Sequence, residues 1–315
     1  MVPLALTLAV LLCLWLAAEL KTSRSDGELL SVPPYRRLMF TIMPTRNESV
    51  VYFDAAVDAD PLLQYVEAAR ARFDANLTHV AVAATGLAIA AVPSMNRFMV
   101  GQRLYQRRGR FITFAMKRKK LDREASLATL KLEVRDGETF RELTERINAD
   151  IRLNRSGERT AADREFDLFN LLPRPLLAAA ARLLRQLDHY NLLPPFFIRD
   201  DPMYTSVFLA NLGSIGLDAG YHHLYEYGTC SLFVTVGAVR EEVVVAEGQP
   251  AVRRRFPLRF TYDERVDDGL NARYGIEALL AVLSDPAQHL GCLAEDGSDS
   301  RPLRPLPAAP PPPHT

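Results

Sequence analysis

Apolar positions recur along the chain with two periods, and the clearest change between them lies near the C-terminus. Phe256, Leu258, Phe260 and Tyr262 alternate with other residues and predict a buried strand. Asp267-Asp268-Gly269 then interrupts the pattern before a helix carrying Ile276, Leu279, Leu280 and Leu283. A strand that ends in charged residues ahead of a helix places those charges at a site rather than in a core. Upstream, Val50, Val51, Tyr52 and Phe53 with Ala55 and Val57 predict a strand, and Asp60-Pro61 opens a helix to about Phe73. Residues 78–92 are so rich in Ala, Leu, Val and Ile that the helix they predict must be buried on most sides, and Pro93 ends it. Strands follow around Arg103-Leu104-Tyr105 and 111–114, with Gly109 as a tight turn between them, then a strand at 129–134 and an amphipathic helix at 140–151. Residues 207–213, 231–236 and 243–246 read as three further strands.

Two stretches stand outside this alternation. Residues 2–20 are apolar and uncharged until Glu19, with Lys21, Arg24, Arg36 and Arg37 following. That length matches a membrane-spanning helix of about 20 residues. The charges beyond it predict a single-pass anchor (residues 1–20) with the globular part in the cytoplasm. A cleaved signal peptide and a misassigned start are the competing readings. Within 163–197, Leu168, Leu171, Leu172, Leu176, Leu177, Leu183, Leu184 and Leu187 predict one or two helices broken by Pro173 and Pro175. Packed helices are the first reading of them, and a membrane-surface or substrate-covering segment the second.

An apolar share of 48% over 315 residues allows a sizeable core, and a formal net charge of zero argues against a nucleic-acid binder. Cys13, Cys230 and Cys292 have no metal-ligand spacing, so no metal site is expected, and only a Cys230–Cys292 pair would be open to oxidation. The expected organisation is therefore a hydrophobic segment (1–20), a polar linker (21–34), one globular domain (35–295) and a proline-rich disordered tail (296–315).

The stretch Asp263-Glu-Arg-Val-Asp-Asp-Gly269, with Ala272, Asp285 and Pro286, resembles the end of the catalytic domain of the dihydrolipoyl acyltransferases of 2-oxo acid dehydrogenase complexes. More distantly it is similar to chloramphenicol acetyltransferase. Val207-Phe-Leu-Ala-Asn-Leu-Gly213 resembles that family's Phe-Thr-Ile-Ser-Asn-Leu-Gly strand. The resemblance runs from about Tyr35 to Pro286 in order of elements. It implies an α/β fold, a chloramphenicol acetyltransferase-like two-layer sandwich with a mixed sheet covered by helices. It also implies a homotrimer with an acyl-transfer channel between subunits, no bound cofactor, and a coenzyme A thioester and a small acyl acceptor as co-substrates. With only residues 1–34 ahead of the domain, no lipoyl domain is expected.

Two positions depart from the family at the two points of chemistry. The histidine that serves as base falls on Glu264, whose ordinary pKa near 4.3 lies about two units below histidine's, a transfer penalty of roughly 3 kcal/mol. The serine whose hydroxyl meets the oxyanion falls on Ala210, beside Asn211, and alanine has no donor. His222 and His223 are the histidines that could stand in as base; on an extended chain only one of the two would face the site. The resemblance further implies a buried ion pair bracing the loop, between Asp268 and Arg36, with Arg37 as alternative. Lys117-Arg-Lys-Lys120 could meet a phosphate of coenzyme A, although a solvated loop is the simpler reading. Two functions follow: a coenzyme A-dependent acyltransferase with an altered site, or a catalytically silent trimeric scaffold or binding module at a membrane.

Overall fold

The computed structural model describes residues 2–118, 127–156 and 171–291, together with Leu303 and Leu306. Helix α1 (Val2–Leu20) carries the apolar run; its stretch Pro3–Leu20 has a mean hydropathy of 2.1 and no buried residue, only Ala18 and Glu19 being half-buried. It is long and apolar enough to cross a bilayer. The chain continues through β1 (Gly27–Leu29), α2 (Pro34–Ile42), β2 (Val50–Asp58), α3 (Ala59–Arg70), α4 (Leu77–Ala91), β3 (Arg97–Val100), β4 (Arg103–Arg107), β5 (Phe111–Lys117), β6 (Leu127–Glu133) and α5 (Phe140–Arg155). After the second break come α6 (Arg174–His189), α7 (Pro195–Asp200), β7 (Val207–Asn211), β8 (Leu232–Val236), β9 (Arg240–Ala246), β10 (Gln249–Asp263), α8 (Gly269–Ser284) and α9 (Pro286–Leu290).

Among these elements the main sheet runs β2-β10-β8-β7-β5-β6, with β9 hydrogen-bonded to the first half of β10. It is mixed, since β7 is parallel to both β5 and β8 while its other pairings are antiparallel. Helices α3, α4, α5 and α8 cover one face, giving the two-layer α/β sandwich. Helix α4 has almost every residue buried, which is why its sequence is apolar all round. It begins with a reciprocal cap in which Asn76 accepts from the Thr78 N–H and the His79 ring from the Asn76 N–H. Burial lowers the His79 pKa to about 4. Helix α8 packs so closely on Met95 that a β-carbon on Gly275 would overlap the Met95 side chain, which would have to shift.

One expectation needs correction. Residues 21–34 are not a linker: β1 pairs with β4 in a small sheet, β1-β4-β3, and Arg24 is buried. Arg24 donates to Asp26, Asp188 and Asn191, which fastens this segment to the end of α6. Burial opposes the Arg24 charge, but Asp188 and Asp26 outweigh it and raise its pKa. The strands expected on either side of Gly109 are present, β4 in the small sheet and β5 in the large one. Gly109, at φ 76°, turns the chain from one to the other. The proline-rich tail (296–315) lies outside the described residues except for Leu303 and Leu306, which pack against the main core, the Leu303 N–H donating to Glu138 O at 3.0 Å.

Candidate functional site

The loop after β10 is built around a buried carboxylate. Asp263 is fully buried and its Oδ1 accepts from Ser49 Oγ at 2.8 Å and from Arg265 Nε at 2.9 Å, while Oδ2 accepts from Arg265 Nη2 at 2.8 Å. Arg265 also donates to Met43 O at 3.0 Å, tying the loop to the end of α2. Between these two buried residues Glu264 points outward; its N–H donates to Ser49 O at 3.0 Å, and its exposed carboxylate makes no hydrogen bond or ion pair among the described residues. Asp267 is buried as well, accepting from the Asp268 N–H and from Asn271 Nδ2 with Arg97 at 3.8 Å. Burial raises its pKa, with Ser94, the Asp268 backbone and Arg97 pulling the other way.

Arg36 and Asp268 do approach, Nη2 to Oδ2, but at 3.9 Å and with 53% of the Asp268 side chain exposed. Arg36 instead donates to Arg265 O at 3.2 Å. Asp268 caps α8, accepting from the Asn271 N–H at 2.9 Å. The buried brace expected between Asp268 and Arg36 is therefore supplied by Asp263 with Arg265, two residues that sequence inspection matched to the family motif without giving them this role. A strand ending in Asp with Arg two positions on was the available signal.

On the other side of the sheet from α4, β7, β8 and β10 place Ala210, Thr235 and Arg259 level with one another. Ala210 packs beside the cluster of Phe208, Leu224, Cys230 and Phe233. The neighbouring hydroxyl does not replace the one that alanine lacks, because Thr235 Oγ1 donates to Gly220 O. Asn211 faces the opposite way and donates to Thr78 Oγ1 at 2.8 Å, holding the start of α4 against β7. His222 lies over the same face as Ala210: its ring stacks on Phe233 at 4.0 Å between centroids, and its carbonyl accepts from Thr261 Oγ1. Burial lowers its pKa, so it is neutral near pH 7. The His223 ring stacks on that of His222 at 4.7 Å, contrary to the expected opposition, because this segment is not a strand and strand alternation does not govern it.

No known family profile matches the chain, and no curated protein is similar to it in sequence. Solved structures do match. A probable dihydrolipoamide acetyltransferase from Listeria monocytogenes is 14% identical, covers 85% of this chain and 97% of its own, and has a TM-score of 0.55. A truncated catalytic core of the 2-oxoacid dehydrogenase multienzyme complex from Thermoplasma acidophilum is 17% identical over 82% of this chain and 99% of its own, at 0.51. A chloramphenicol acetyltransferase is 11% identical over 82% and 99%, at 0.50. This chain has the chloramphenicol acetyltransferase fold.

Within one copy of that acetyltransferase fold, Glu264 and Ala210 do not meet. Glu264 follows the end of β10, five positions beyond Arg259, which is level with Ala210 two strands away. At about 3.3 Å per residue the two are roughly 16 Å apart along the strands alone. Chemistry using both would need side chains from two copies. His222, by contrast, is anchored at the level of Phe233 and Thr261, two residues from that of Ala210. No group of His, Cys, Asp and Glu able to hold a metal ion occurs among the described residues. Of the remaining sequence candidates, Lys119, Lys120, Cys292 and the start of the 163–197 stretch lie outside the described residues; Cys230 is a buried free thiol.

Proposed function

We propose that this chain is a membrane-anchored homotrimer of the acetyltransferase fold that binds a coenzyme A thioester between its subunits without transferring the acyl group efficiently. The observation that carries the reading is the state of the two chemical positions. Ala210 has no hydroxyl and the Thr235 hydroxyl level with it is already committed to Gly220 O. Glu264 has no side-chain partner among the described residues of its own chain to orient it as a base. Loss of one oxyanion donor alone costs about 2.7–4 kcal/mol of transition-state stabilisation. The loop itself is intact, since Asp263 and Arg265 hold its shape, as expected of a site kept for binding.

Assembly is supported by two separate apolar surfaces. Tyr35, Leu38 and Ile42 form an exposed stripe on α2, beside the Glu264 loop to which Arg36 and Met43 are bonded. Val243 and Val252, paired across the β9–β10 hairpin, are exposed together with Val245. Two different patches suit a head-to-tail contact that closes into a ring. Anchoring is supported by α1, whose residues are exposed from Pro3 to Ala17.

A second reading has one observation in its favour. His222 lies over the face that carries Ala210 and burial keeps it neutral near pH 7, so it could accept a proton from an acyl acceptor. Acetyl transfer from acetyl-coenzyme A to a small thiol, measured for wild type, Glu264→Gln and His222→Gln, separates the readings. Silence in all three supports the first; activity lost only with His222→Gln, or only with Glu264→Gln, names the base.

A further inference from the structure

We infer that α6 lies on the bilayer surface beside the anchor, as an interfacial helix that fixes the orientation of the globular part relative to an anionic membrane. This rests on the reading of α1 as an anchor, and it adds a second, independent contact.

Helix α6 has one apolar side, and the body covers only part of it. Leu184 and Leu187 pack beside the cluster of Leu193, Ile198 and Tyr204, and Asp188 is buried against Arg24. Leu176 and Leu183, seven residues and therefore two turns apart, remain 56% and 59% exposed on the neighbouring edge of that side. Arg174, Arg182 and Arg185 occupy the opposite arc, and the one acidic residue of the helix is the buried Asp188. Leucines below and arginines above are what an anionic interface selects, and a helix of 16 residues is long enough to lie in it.

Position makes the lipid surface the occupant. Asn191 Nδ2, two residues past the end of α6, donates to Lys21 O at 2.9 Å, and Lys21 is the residue directly after α1. Arg24 Nη1 bonds both Asp188 and Asn191, and Arg103 pairs with Glu19 at 3.2 Å in the last turn of α1. The end of α6 is thus held at the point where α1 leaves the apolar layer. Leu192 and Phe196, both exposed, continue the apolar surface from there. Together with Lys21 they place leucine, phenylalanine and basic groups at the depth of lipid headgroups.

The test uses the full chain in vesicles of phosphatidylcholine and phosphatidylglycerol, with Trp15→Phe to remove the native indole and Leu183→Trp to report from α6. Leu153→Trp in the same background reports from α5, at a residue 51% exposed and outside both assembly patches. The inference predicts that the indole at position 183 emits at shorter wavelength and is quenched by lipids brominated near the headgroup about two-fold or more above the α5 indole. Leu176→Trp should behave alike, which guards against a folding defect in one variant. If the protein floats with the vesicles but positions 183 and 176 are quenched no more than 153, the anchor stands and the inference is wrong. A blue-shifted but unquenched indole would show that protein covers α6, which also overturns it. Failure to float at all would remove the anchor and the inference together.

Discussion

Asp263 and Arg265 form a two-pronged ion pair that is almost wholly buried, with Oδ2 to Nη2 at 2.8 Å and side-chain exposures of 0% and 5%. It lies on either side of the outward-facing Glu264. Breaking one member of such a pair leaves an uncompensated buried charge, typically a loss of about 3–5 kcal/mol. Asp263→Ala is therefore expected to destabilise the protein severely. Asp268→Ala should cost about 1 kcal/mol, the worth of a helix cap, because its contact with Arg36 is long and exposed. Denaturant midpoints of the two variants check the ranking; equal losses would restore Asp268 as the brace.

His79 gives the fold a pH dependence of known sign. Its Nδ1 accepts from the Asn76 N–H, so the buried ring must stay neutral at that nitrogen. With a folded pKa of about 4 against an unfolded value near 6.5, stability is complete above the unfolded pKa and falls as pH drops through the interval between the two. The loss amounts to about 3 kcal/mol at most. Melting measured from pH 7 to pH 4 should show that fall in wild type, and His79→Gln should flatten it. A slope unchanged by the substitution would place the dependence elsewhere.

The two departures from acyltransferase chemistry should behave as one unit. Glu264→His alone is expected to restore little transfer of an acetyl group to a small thiol, because the intermediate would still lack a hydroxyl donor. Glu264→His with Ala210→Ser should exceed either single change by roughly ten-fold or more, the kinetic equivalent of about 1.4 kcal/mol. Additive effects would mean that the two positions do not act on the same intermediate.

What could be read from the sequence followed from periodicity. The alternation in β10, the break at 267–269 and the all-apolar α4 each have one physical explanation, and each element formed where it was expected. β1 and the burial of Arg24 were missed for the opposite reason. A three-residue strand has no period to detect, and a buried arginine looks exposed until Asp26 and Asp188 are known to surround it. The brace at Asp268 is what the family resemblance implies, whereas the folded chain, by bringing Ser49 and Met43 to the loop, places it at Asp263. At 222–223 the rule of strand alternation failed because the backbone there is irregular, and stacking on Phe233 decides where the rings go.

Binding without turnover at a site between copies is the central claim. Its most direct measurement is a calorimetric titration of acetyl-coenzyme A into the detergent-solubilised full chain, with release of free coenzyme A followed in the same sample after addition of a small thiol. Saturable binding near one ligand per chain with no release above the uncatalysed rate is the predicted result. No binding at millimolar ligand, or release that follows enzyme concentration, would contradict it.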